Sequence, residues 1–218
     1  MIERFLHHVR VELPEPGEIA AGARSRLADK FARTALRRMT HLGLLIGSVL
    51  DGVKLEPEDA LVYASTYAET RALEDFLTSF PEASPLLFQT SIHPGGVQQV
   101  LIGRQQPIAR LWPLAGRARL VEHALLTALL EPAARVAFVG GEECGSWMLE
   151  QGMAAGRAFA LATLLTREPV DAVGKLTFNP GAKTDDACPS LENFALALAQ
   201  HNPLAWSGAG GDWQLQWS

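Results

Sequence analysis

The apolar run RVAFVGGEE (135–143) ends in two glutamates and is followed at once by Cys144, while His93 stands in the break Ser-Ile-His-Pro-Gly-Gly (91–96). A thiol beyond a strand end, with His93 or Glu142 as base, would make a small cysteine acyltransferase or hydrolase, provided that the base stands within hydrogen-bond reach. Two carboxylates beside a thiol raise its pKa and disfavour the thiolate, so a structural cysteine is the plainer reading. Glu142 and Glu143 could imitate an acid/base couple, but adjacent acids after a strand are expected to form a solvated turn. His93 is the one histidine in a pocket-like position, and a hydrogen-bonded turn histidine is its plainer reading. His7 and His8 would point to opposite faces of a strand, and His123 does not face its helical neighbour Glu122. No metal site is expected.

The familiar nucleophile and phosphate motifs are missing: there is no Gly-x-Ser-x-Gly, no Gly-x-x-x-x-Gly-Lys and no His-Glu-x-x-His. Gly95-Gly96 and Gly140-Gly141 are isolated pairs, which more often permit tight packing than cradle a phosphate. One stretch still has the setting of a catalytic elbow. RLWPLAGRARLVEHALLTALL (110–130) runs from an apolar segment through the turn Leu114-Ala115-Gly116 into an amphipathic helix, with no serine or cysteine in the turn.

The elements around these residues follow from periodicity. Residues 2–13 are expected to form an edge strand stopped by Pro14 and Pro16. From Glu18 to about Val53 a long helical region, of one or two helices, carries Leu36, Met39, Leu42, Ile46, Val49 and Leu50 at helical spacing and ends near Asp51-Gly52. ALVYAST (60–66) reads as a strand, and YAETRALEDFLTSF as a helix whose face is Leu73, Phe76, Leu77 and Phe80. LLFQTSIHPGGVQQVLIG is helical with a break at Pro94-Gly95-Gly96. PIARLWPL (107–114), the helix 117–130 and the run 135–143 continue an alternation of apolar strands and helices, which points to an α/β fold with a largely parallel sheet covered on both faces. AFALATLLT and AVGKLTF read as an antiparallel hairpin, Asn179 to Pro189 as a polar loop, LENFALALAQ as a short helix, HNPLAWSGAGG as a glycine-rich loop and WQLQWS as a closing strand.

With 218 residues, 48% of them hydrophobic and 20% charged, the chain can bury a large core in one domain, 1–218. The net charge of −5 gives no electrostatic reason to expect nucleic acid. No apolar run reaches the roughly 18–20 residues of a membrane span, and MIERFLHHVRVELPEPGE lacks the features of a signal peptide, so a cytoplasmic location is expected. Cys144 and Cys188 make neither a disulfide framework nor a zinc motif and read as free thiols of a reducing compartment.

The order of segments resembles the N-terminal half of β-ketoacyl synthases. Ser65, Thr66, Tyr67, Ala68 and Glu69 match the family's S-x-x-G-E segment. Ser84, Pro85, Phe88, Ser91, Ile92 and His93 match S-P-x-x-F-x-x-S-V-H-N, with Pro94 in place of the asparagine. The cysteine elbow falls on Ala115, Gly116, Arg117, Ala118, Arg119 and Leu120, so that Gly116 replaces the nucleophile. RVAFVGGEE matches the next strand with its G-G-x-E end, and GRAFALATLLT the one after it. The match covers roughly 36–178, and residues 1–36 fit less well. A glycine cannot attack a thioester, and the family's two further catalytic histidines lie in a C-terminal half that a chain ending at Ser218 is too short to contain.

The resemblance therefore implies a thiolase-like α/β fold with a mixed sheet and helices on both faces, no catalytic residue and no cofactor. It is closest to the short, cysteine-less subunits beside true ketosynthases in aryl polyene and xanthomonadin-type pathways, which resemble chain-length factors. It implies an active ketosynthase as partner, paired through about Pro107 to Trp112, with an acyl carrier protein or a second copy of the chain as further partners. Candidate interface or acyl-tunnel residues are Phe88, Ile92, His93, Ile108, Leu111 and Trp112; for Phe88, Ile92 and Trp112 ordinary core packing is the plainer reading. A homodimeric scaffold without an acyl pocket is the third alternative.

Overall fold

Pro14 and Pro16 do end the first strand, β1 (Ile2–Glu12), but that strand lies inside the sheet and not at its edge. In the computed structural model, which describes residues 1–181 and 188–218, eight strands form one sheet in the order β3-β2-β4-β5-β1-β6-β8-β7. The others are β2 (Ala60–Ser65), β3 (Arg110–Ala115), β4 (Arg135–Glu142), β5 (Phe159–Thr166), β6 (Gly174–Pro180), β7 (Leu204–Gly208) and β8 (Gly211–Trp217).

Among the eight described strands β3, β2 and β4 pair in parallel, and the other strand pairings are antiparallel. The sheet is thus mixed, and the largely parallel sheet expected from strand–helix alternation is confined to the segment where the alternation holds. β5 and β6 are not a hairpin, because β1 inserts between them and pairs with both. The expected glycine-rich loop after His201 is β7, whose Trp206 stacks on Trp213 of β8 at 5.6 Å. Part of the polar loop expected over 179–189 lies outside the described residues.

The long helical region expected from Glu18 is broken into α1 (Ala20–Arg26), a 3-10 turn at Ala28–Lys30, α2 (Arg33–Leu36) and α3 (His41–Val49). All nine residues of α3 are buried, so the periodicity that suggested a one-sided helix marks a helix packed all round. A Cβ on Gly47 would clash with the Phe31 ring, so glycine lets the loop before α2 sit directly on α3. Next come α4 (Thr70–Thr78), α5 (Pro85–Ser91) and α6 (Gly95–Arg104), the last two separated at the expected Pro-Gly-Gly break. The face expected on α4 is not its buried one: Ala72 and Glu74 are buried, whereas Leu77 is exposed.

Alternation along β2 and β4 divides the core. Val62, Ala64, Val136 and Phe138 face α7 (Leu120–Leu130) and, beyond the short α8 (Trp147–Glu150), α9 (Leu191–Ala199). Leu61, Tyr63, Ala137 and Val139 face α3 and α6. At about 1.5–3 kcal/mol for each large aliphatic side chain buried, these two layers supply the main stabilisation.

Candidate functional site

The parallel strands β2, β3 and β4 end together, the edge of the sheet where open α/β folds place their ligands. Ser65 ends β2 opposite Ala115, the last residue of β3. The chain then turns through Gly116 to Arg119 into α7, so Gly116 does lie in a strand-to-helix turn. Its φ is +140°, its N–H donates to the Ser65 carbonyl at 3.3 Å, and a Cβ built there would meet nothing within 4 Å. Arg117 lies over the Tyr67 ring at 4.8 Å. The elbow has room for a side chain and no atom with which to attack.

The hydroxyl of Ser65, at the end of β2 beside the elbow, is engaged on both sides. Ser65 Oγ donates to Glu142 at 3.1 Å and accepts the Ala68 N–H at 2.9 Å. Glu142 also accepts the N–H groups of Thr66 and Tyr67.

Glu142 and Glu143 are not a solvated turn: both are buried, at 2% and 0% exposure. Glu143 accepts N–H bonds from Arg71 (2.7 Å) and Ala72 (3.0 Å) at the start of α4 and from Leu42 (3.3 Å) at the start of α3. Glu69 accepts the Gly96 N–H at 2.9 Å, at the start of α6. Glu74 accepts the N–H groups of Ser146 and Met148, both at 2.8 Å, beside α8. Helices α4, α6 and α8 have no side-chain cap of their own, so these carboxylates satisfy orphan donors from a distance. Burial nevertheless pushes Glu142 up, and Glu143 up to about 7 despite its three N–H bonds.

His93 Nδ1 lies 3.1 Å from Glu69, and its ring stacks on buried Tyr63 at 4.9 Å. The described contacts join neither His93 nor Glu142 to Cys144, whose Sγ donates to the Gly145 carbonyl at 3.6 Å. Burial first, then Glu74, holds the Cys144 thiol above its usual pKa. The direction matches the expectation for a thiol near acids, but the acid is Glu74 and not the adjacent pair. Among the described residues no three His, Cys, Asp or Glu side chains group to hold a metal, and no helix is long and apolar enough to cross a membrane.

The candidate interface residues fall into separate places. β3 is an outer strand of the sheet. Its Trp112 is 43% exposed, and Leu111, on the opposite face, packs with Ile108 against the α3–α6 core. Phe88 and Ile92 are about half exposed at α5, where Phe88 meets Phe76 at 5.3 Å. Sequence reasoning missed Glu131, which receives both Arg110 and Trp112: Trp112 Nε1 donates at 2.7 Å and Arg110 at 2.6 Å. Arg4, buried in β1, donates to the carbonyls of 131, 133 and 134. The alternation Arg110-x-Trp112 places both side chains on one strand face and was the available signal.

The architecture has counterparts among solved structures. A chain in the complex of a ketosynthase (ApeO) with its chain length factor (ApeC) from Xenorhabdus doucetiae superposes with a TM-score of 0.66 and 19% identity, covering 99% of this chain and 100% of that one. The ishigamide ketosynthase/chain length factor gives a TM-score of 0.56 at 11% identity, over 83% of this chain and 68% of that one. No family model matches the sequence, and no curated protein matches it. The likeness shows a thiolase-like α/β fold. Both of these structures are described as a ketosynthase with a chain length factor.

Proposed function

We propose that the chain is a non-catalytic, chain-length-factor-like subunit that pairs with an active β-ketoacyl synthase and shapes its acyl tunnel during polyene, polyketide or fatty-acid-type extension. The observation that carries this reading is the elbow: a strand-to-helix turn at the end of β3 with open space at Gly116 and no nucleophile. Ser65 is engaged by Glu142, and among the described residues no base is hydrogen-bonded to Cys144. β3 is the proposed pairing strand. It has one sheet neighbour, and an exposed indole on an outer strand is a suitable anchor for a partner. The likeness to subunits of ketosynthase/chain length factor structures supports the same reading.

Coexpression with the ketosynthase encoded beside it, followed by size-exclusion chromatography and product analysis, tests the proposal. The expected result is a one-to-one complex whose products change in length when this chain is varied, while the chain alone takes no acyl group from an acyl carrier protein. Stable acylation at any residue, or a homodimer that never exchanges for a ketosynthase, would overturn it.

A further inference from the structure

Residues 18–41, most of them in the stretch 1–36 that fits the ketosynthase pattern less well, line a groove with α5 and α6. Two adjoining cavities of about 480 and 390 Å³ lie along it and share Arg38, Met39, Leu86 and Thr90 in their linings. Their size is that of small-molecule sites, which run from about 300 to 1,000 Å³. Neither lining includes a residue of β3 or of the Gly116 turn.

The chemistry of this groove is unbalanced. Apolar side chains, among them exposed Ile19 and Leu86, alternate with arginines in a chain whose net charge is −5. Of the three carboxylates in the lining, Glu18 is held by Arg26 at 2.8 Å, Asp75 by Arg71 at 3.5 Å, and Glu143 by three backbone N–H groups. Arg37 and Arg38 are exposed and, among the described residues, have no acidic partner. Two N–H donors of the lining residues, Arg24 Nε and Gln99 Nε2, are buried without an acceptor, and His41 Nε2 has only Glu18 at 3.6 Å. The Gln99 carbonyl is already used by Thr40, and Arg24 is anchored through Nη2 to the Met39 carbonyl at 3.1 Å. The exposed guanidinium groups of Arg37 and Arg38, without an acidic partner among the described residues, fit an anionic head, while the apolar wall fits a chain attached to it.

We propose that the groove between the 18–41 segment and α5–α6 binds an anionic amphiphile, an aliphatic chain carrying a carboxylate or a phosphate monoester. Arg37 and Arg38 meet the head at the mouth, and Ile19, Met39 and Leu86 line the path of the chain. The site is independent of the proposed pairing strand, so either reading can fail without the other.

Titration calorimetry of the purified chain with decanoate, decyl phosphate, decanol and inorganic phosphate tests it, all amphiphiles kept below their micellar range. One saturable site is expected for decanoate or decyl phosphate, with decanol about tenfold or more weaker, the loss expected for charge-assisted hydrogen bonds. The tighter of the two anions identifies the head group, a carboxylate or a phosphate monoester. The double variant R37E/R38E, at exposed positions, should weaken binding by about tenfold or more. A21W, at an exposed position of the lining, should block it sterically without unfolding the chain. Equal binding of decanol, an unaffected R37E/R38E variant, or no saturable binding would overturn the assignment.

Discussion

Trp112, on an outer strand of the sheet, donates its indole N–H to buried Glu131 at 2.7 Å. The same carboxylate holds Arg110 at 2.6 Å and the Ala133 N–H at 3.1 Å. The exposed indole is therefore fixed before any partner arrives, which lowers the entropic cost of using it as an anchor. Replacing Glu131 by alanine leaves these donors without their acceptor and should cost about 2–4 kcal/mol in urea denaturation. Burial pushes Glu131 up, but Arg110 and its other donors outweigh it and hold its carboxyl below the usual range. That stability is present above the ordinary carboxylate pKa and should fade as pH falls through the depressed value. A loss below 0.5 kcal/mol (roughly the scatter of surface substitutions) would contradict this account.

Trp112→Arg should leave the fold intact, because the ring is partly exposed, yet separate the proposed heterodimer. The expected change is a shift from complex to free chain in size-exclusion chromatography, with affinity lower by about 2 kcal/mol or more, the scale of an interface hot spot. An unchanged elution profile at dilute concentration would remove β3 from the pairing surface.

The pH response of Glu143 runs in the opposite direction. Its folded value of about 7 lies above the unfolded 4.5, so the folded state binds more proton in that window and its stability falls as pH rises from about 4.5 to 7. Glu143→Gln keeps an acceptor for the N–H groups and removes the titration. The variant should gain on the wild type as pH rises from 5 to 8, and parallel stability curves would refute the assignment.

Gly116 has space for a methyl group but a φ of +140°. Gly116→Ala should therefore lower stability through backbone strain, by about 1–3 kcal/mol, without a packing defect. Thermal melts give the cost, and a neutral result would mean that the turn relaxes freely.

Cys144 should react with iodoacetamide at pH 7.5 more slowly than a free peptide thiol, because burial and Glu74 disfavour its thiolate. Alkylation faster than the peptide would revive a nucleophilic role.

Local patterns made much of the fold legible. β2, α6 beyond its Pro-Gly-Gly break, β4 and α9 follow directly from periodicity, as does the helix after the Gly116 turn. Strand order did not follow, because adjacency of β1 to β5 and β6 depends on contacts far apart in the chain. A bulge between His7 and Arg10, with His8 at φ +47°, further blurs the alternation of β1. Arg4 looks like a surface charge in sequence, yet three backbone carbonyls make it a core residue. Glu142 and Glu143 are similar: their charge suggests solvent, and only the donors at the starts of helices and loops explain their burial. The elbow was legible because it is local. The web of carboxylates beneath it was not.

The position of β1 also governs when the sheet can be completed during synthesis. Its partners, Phe159–Thr166 and Gly174–Pro180, are made long after Ile2–Glu12 leaves the ribosome. At about 5–20 residues per second, the first strand waits many seconds with its hydrogen-bonding edges unpaired, when nascent chains are most exposed to aggregation. The molecule must finish from its middle, and an N-terminal fusion that sequesters the opening residues would stall it there.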